Sequence, residues 1–139
     1  MYKRQARTYE YNIRTKEKKI VKEQIVPSGH NRDDYIVERL ECDSHDGQKI
    51  PMTITYHKKT RIDGRAHGLL YGYGSYGSSM WPAFSTSKFS LIDRDIIWVT
   101  CHIRGGMERG MKWWREGKMM NKKNTFSDFI SCANFLIEK

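Results

Sequence analysis

Hydrophobic and polar positions change period along this chain in an order that predicts its elements. Residues 8–13 and 19–26 alternate on either side of the polar stretch 14–18, the pattern of a β-hairpin. The segment PSGHNRDD, residues 27–34, has no apolar repeat and is expected to act as a linker. Residues 35–42 and 49–57 then flank Asp46-Gly47, a strong tight-hairpin signal because both residue types tolerate the backbone angles such turns need. Within 49–57, Ile50, Met52, Ile54 and Tyr56 alternate with Pro51, Thr53, Thr55 and His57, which predicts one buried and one wet face. Pro51 cannot donate to a ladder and points to an edge or early strand position.

Beyond the polar stretch 58–67 the period changes. Residues 68–73 form a short apolar run that ends in glycines, 84–93 suit a short helix, and 95–103 are almost continuously apolar, as in a strand covered on both faces. This is a strand, helix, strand unit, so the predicted class is α/β. Phe126, Phe129, Ile130, Ala133 and Ile137 follow helical spacing, with Thr125 and Asp128 as the expected N-cap pair. A parallel sheet needs a strand after each crossover helix, and none follows this one, so part of the architecture is expected to be missing.

Composition narrows the class. The chain has 139 residues, enough for one modest domain or a piece of a larger one. Four tryptophans and an aromatic share of 12% argue for a packed core rather than a disordered tail. The N-terminal MYKRQARTYEYN lacks the apolar run of a secretion signal, and no stretch approaches the roughly 18 apolar residues of a membrane span. The expectation is a soluble, cytoplasmic protein with no membrane partner. A formal net charge of +9 raises nucleic acid as a partner, but the excess is spread over both halves with acids interleaved, and no basic arm stands out. Cys42, Cys101 and Cys132 are odd in number and far apart, so buried reduced thiols are expected, with no metal, cofactor or disulfide framework.

Gly72, Tyr73, Gly74, Ser75, Tyr76 and Gly77 match the G-x-G-x-x-G string of a dinucleotide turn. That turn must open directly into a helix whose N-terminus holds the pyrophosphate. Here Ser78, Ser79, Met80, Trp81 and Pro82 intervene, so any helix starts too late. Ser75 is not the serine of a G-x-S-x-G nucleophile elbow either, because Tyr73 occupies the first glycine position.

The segments LLYGYGSYG, FSLIDRD, HIRGGMERGMKWW and EGKMMNKKNTFSDFISCANFLI, in that order and spacing, resemble the catalytic domain of the prolyl oligopeptidase family of serine peptidases, and its oligopeptidase B (protease II) branch in particular. Residues 35–139 carry the likeness, with YIVERLECDSHDGQKIPMTITY similar to the family's opening hairpin; residues 1–30 resemble the last blade of its β-propeller. The resemblance implies a propeller remnant and linker at 1–30. It implies the incomplete N-terminal part of an α/β-hydrolase fold at 31–139.

In that family the nucleophilic serine follows the helix matching residues 125–138, and the aspartate and histidine lie further on. None of the three maps onto this chain, so the resemblance implies a peptidase fragment that is inactive alone. Tyr73 matches the tyrosine whose hydroxyl helps form the oxyanion hole, and Tyr76 an aromatic position beside the primary specificity pocket. Without the resemblance, Tyr73 reads as a buried aromatic whose hydroxyl caps a loop. Gly105 and Gly106 are expected to shape the turn after the second parallel strand, Arg104 to tie that loop electrostatically, and His102 to be structural. Met107 stands where the family usually has a third glycine, which suggests a looser turn. Trp81 and Ala83 lie where some oligopeptidase B enzymes carry acids that bind basic peptides. Short peptides are the implied substrates, with cleavage after Arg or Lys in that branch. Two other readings stay open: a subunit that regains activity with a separate C-terminal peptidase part, and a basic module that binds nucleic acid.

Overall fold

The computed structural model describes residues 2–139. Strands β1 (Arg7–Tyr11) and β2 (Lys18–Glu23) pair antiparallel as a two-stranded hairpin with an irregularity between Thr8 and Tyr9. The second sheet has four strands in the order β3-β4-β6-β5, built from β3 (Tyr35–Asp43), β4 (Lys49–His57), β5 (Gly68–Tyr71) and β6 (Ile97–Cys101). β3 and β4 form the hairpin around Asp46-Gly47, in register from Tyr35 opposite His57 to Asp43 opposite Lys49. β6 runs antiparallel to β4 and parallel to β5. The β5–β6 crossover passes through α1 (Thr86–Ile92), giving the expected strand, helix, strand unit in a mixed α/β fold.

One expectation for β4 needs correction. The strand lies inside the sheet, and both of its faces are covered: Thr53 and Thr55 are as buried as Ile50, Met52 and Ile54. The alternation is real, but the polar face meets a second layer instead of water. Pro51 sits early in the strand, opposite Glu41 and before the pairing with β6 begins at Met52, so its missing N–H costs that ladder nothing.

Side chains of β6 point alternately into two layers. Val99 and Cys101 join Cys42, Ile50, Met52, Ile54, Ile103, Cys132 and Trp113 of the short helix α2 (Met111–Arg115) in the main core, beneath α3 (Lys123–Glu138). Full burial of a single side chain such as Ile50 or Val99 contributes about 1.5–3 kcal/mol. On the opposite face Trp98 packs with Tyr35, Phe84, Phe89 and Ile92 around α1. His30 stacks on Tyr35 and its Nε2 lies 2.9 Å from the Lys3 carbonyl, while Lys3 Nζ donates to the Tyr35 carbonyl at 2.8 Å. The segment expected to be a linker thus contributes to the second cluster.

Helix α3 differs from its sequence reading. Lys122 occupies the N-cap, so Thr125 and Asp128 lie inside the helix and are fully buried. Its packed side is Thr125, Asp128, Phe129 and Cys132, whereas Phe126, Ile130 and Ile137 are 63%, 58% and 83% exposed. All three cysteines are free and buried, with Cys42 Sγ 3.7 Å from Cys132 Sγ. Burial pushes the Cys42 thiol up to about 12, as expected of an inert core residue. Among the described residues no helix is long and apolar enough to cross a membrane.

Candidate functional site

β5 stops at Tyr71, so Tyr73 lies in the turn that follows rather than on the strand. Ser78 N–H donates to the Ser75 carbonyl at 2.9 Å across Tyr76 and Gly77, whose φ values of 54° and 66° make a type I′ turn. Gly74 also has positive φ, at 59°, and a side chain there would collide with Ile103, Thr125 and the Arg104 carbonyl. Opposite it, Gly105 has φ of 99°, and a Cβ on it would overlap the Gly74 carbonyl. The two loops therefore cross backbone against backbone, and Gly77 N–H donates to the Gly105 carbonyl at 2.9 Å. Only glycine admits this approach.

The crossing leaves Tyr73 45% exposed, and among the described residues its hydroxyl makes no hydrogen bond. It is neither buried nor a loop cap, and no described protein group accepts its O–H. Tyr76 is 90% exposed and holds a left-handed backbone conformation that side chains rarely adopt.

Beneath the turn lies a polar network. Arg104 is buried and donates from Nε and its backbone N–H to Asp128 Oδ2, at 2.9 and 3.0 Å, and from Nη2 to Asp128 Oδ1 at 2.6 Å. Nη1 and Nη2 also reach Asp46 at 2.5 and 3.1 Å, and the Ser44 hydroxyl donates to Asp128 at 2.6 Å. Burial opposes the Arg104 charge, but its hydrogen bonds to Asp128 and Asp46 outweigh it and hold its pKa above the ordinary range. The hydrogen bond from Arg104 holds the Asp46 carboxyl below its ordinary value. Arg104 thus ties the loop electrostatically, as its sequence position suggested.

Three further side chains complete the support. Thr125 Oγ1 donates to the Arg104 carbonyl at 2.7 Å. Lys122 Nζ donates to the Gly74 carbonyl at 2.5 Å and to Ser75 Oγ at 2.7 Å. Glu108 accepts the Met80 N–H at 2.8 Å and so fixes the far end of the turn. His102 is buried with Nε2 between Arg39 Nη1 (3.0 Å) and Thr53 Oγ1 (2.8 Å). A guanidinium can only donate, so the ring proton sits on Nδ1, 3.9 Å from Glu108 Oε1. His102 is a structural residue in this arrangement.

Met107, at the position of the usual third glycine, has an ordinary backbone, and its side chain lies against Gly77. Beside the turn a hollow of about 530 Å³ is lined by Tyr71, Met80, Trp81, Lys88, Leu91 and Trp98, with no acidic residue. Burial lowers the Lys88 pKa there. Sequence reasoning had named Tyr73, Tyr76, Arg104 and the glycines, but had missed Lys122 as a support and misassigned Asp128. Lys122 sits beside Lys123 between Asn121 and Asn124, with no local pattern that marks it, and the ligands of Arg104 lie 24 and 58 residues away from it in sequence.

Chemically, the assembly presents the phenolic O–H groups of Tyr73 and Tyr76 on one bonded turn, each able to donate to an anionic oxygen brought against it. Known proteins carry the same stretch. The profile described as "Prolyl oligopeptidase family" matches residues 82–139. Dipeptidyl aminopeptidase BI of Pseudoxanthomonas mexicana is 45% identical over 96% of this chain, and Protease 2 of Moraxella lacunata 39% identical over 95%. Oligopeptidase B from Leishmania major superimposes over 97% of the chain with a TM-score of 0.87 at 38% identity. The chain spans 18% of the first of these proteins and 19% of each of the other two.

Proposed function

Since this chain belongs to the prolyl oligopeptidase family, we propose that it supplies the oxyanion-stabilising wall of a serine oligopeptidase acting on short peptides. The observation that carries the reading is Tyr73 itself, half-exposed and with no protein partner for its hydroxyl among the described residues, on a turn otherwise tightly bonded. In acyl transfer a tetrahedral intermediate places negative charge on the former carbonyl oxygen, and a fixed donor aimed there stabilises it without reorganisation. Tyr73 would be that donor and Tyr76 an aromatic contact for the substrate. Residues 1–30 would be a propeller remnant, and 31–139 the first part of an α/β-hydrolase domain. The open side of β5 would take the strand that leads to the nucleophile.

The 139 residues alone would be inactive, because an oxyanion donor has nothing to stabilise without an activated nucleophile and its base. Arg or Lys selection, expected of the oligopeptidase B branch, draws no support from the acid-free hollow beside the turn. The test is to co-express the chain with the complementary part of a matching relative's catalytic domain. Peptidase activity that is absent from either part alone, and abolished by a serine-directed phosphonate, is the expected result. A phosphonate-sensitive activity in the purified chain alone would overturn the assignment.

A further inference from the structure

Lys122 breaks the local rules for its position. It caps α3, where Ser, Thr, Asp or Asn are preferred and the helix dipole disfavours a cation. Lys123 follows it directly, and the first turn of the helix has no acidic residue to compensate. Among the described residues no carboxylate pairs with its ammonium. Burial lowers its pKa, and no neighbouring charge opposes that shift. A partly buried, unneutralised ammonium is unfavourable on its own account. Such violations mark positions kept for something other than stability.

What the ammonium touches identifies the gain. Both of its hydrogen bonds go to the two residues that follow Tyr73, the Gly74 carbonyl at 2.5 Å and the Ser75 hydroxyl at 2.7 Å. Gly74 is the residue whose backbone meets the Gly105 loop. The cation therefore grips the turn just beyond the phenol, and the N-terminus of α3 adds positive potential at the same place. A surplus of positive charge beside a donor suits a site where negative charge develops only during reaction.

We propose that Lys122 is a positioning residue for the oxyanion donor, holding the Tyr73 turn through Gly74 and Ser75 and leaving its own charge uncompensated until the oxyanion forms. The inference rests on the peptidase reading of Tyr73. In the reassembled peptidase, Lys122→Gln keeps a hydrogen-bond donor and removes the charge, whereas Lys122→Arg keeps the charge. The expected result is a kcat about tenfold lower for Lys122→Gln with KM within threefold, and a kcat for Lys122→Arg within threefold of the parent. Equal turnover of Lys122→Gln and parent, in an enzyme that Tyr73→Phe does impair, overturns this inference alone. If Tyr73→Phe has no effect, the peptidase reading of Tyr73 fails instead.

A second measurement needs only the chain. Lys122→Met should speed amide exchange about tenfold or more at Gly77 and Ser78, whose N–H groups close the turn, while exchange in the middle of α3 is unchanged. Unchanged exchange at Gly77 and Ser78 overturns the positioning role.

Discussion

Arg104 and Asp128 meet in the interior through three hydrogen bonds of 2.6–3.0 Å, two from the guanidinium and one from the Arg104 backbone. The contact joins the loop after β6 to the middle of α3, and through Asp46 it reaches the β3–β4 turn as well. Removing one partner of a buried ion pair costs about 3–5 kcal/mol when the other charge is stranded, and less where a second carboxylate remains, as Asp46 does for Arg104. Asp128→Ala is therefore expected to lower stability to urea by somewhat less than that amount, and Asp128→Asn by less again, because the amide can still accept one bond. A midpoint for Asp128→Ala equal to the parent's would show that the pair does not hold these elements together.

The same network sets a pH response. Asp46 has its carboxyl held down by Arg104, so its contribution to stability is complete above the pKa of a free Asp, about 3.9, and is lost as pH falls through the lower folded value. Stability should fall below about pH 4, and Asp46→Asn should flatten that part of the profile. An unchanged acid limb in Asp46→Asn would remove this residue from the account. The effect is modest, because Asp46 is partly exposed and solvent screens the pair.

Tyr76 combines a left-handed backbone, at φ 54°, with a side chain that touches almost nothing. Asn is better tolerated at the first central position of a type I′ turn. Tyr76→Asn should therefore raise stability, by about 1 kcal/mol, and in a reassembled peptidase should raise KM more than it lowers kcat. Loss of stability would mean that the aromatic ring supports the turn after all.

Phe126, Ile130 and Ile137 form an apolar row on the outer side of α3. An exposed row of this kind promotes association. The chain should self-associate with rising concentration, and Phe126→Glu combined with Ile130→Lys should suppress this in light-scattering measurements. A parent chain that stays monomeric at high concentration would contradict the expectation.

Much of this was legible in the sequence, and the parts that were not share a physical cause. Period-2 alternation and Asp46-Gly47 placed β3 and β4 almost to the residue, because a hairpin is specified locally. The glycine turn and the strand, helix, strand unit were equally local. What failed depended on the second layer. Thr53 and Thr55 read as wet, yet Arg39 and His102 lie over Thr53. Thr125 and Asp128 read as a cap, yet their polar atoms serve the Arg104 loop from inside the helix. Lys122 was not singled out in the sequence, since nothing next to it in the chain indicates that its ammonium reaches Gly74, 48 residues earlier.

The oxyanion role of Tyr73 is tested most directly by removing its hydroxyl alone. In the chain reassembled with the complementary part of a relative's catalytic domain, Tyr73→Phe keeps the ring and removes the donor. If the hydroxyl stabilises the oxyanion, kcat should fall by roughly 10²-fold or more, with KM changing far less, because the interaction is made in the transition state. Full turnover in Tyr73→Phe would contradict the assignment and leave the glycine turn as a scaffold alone.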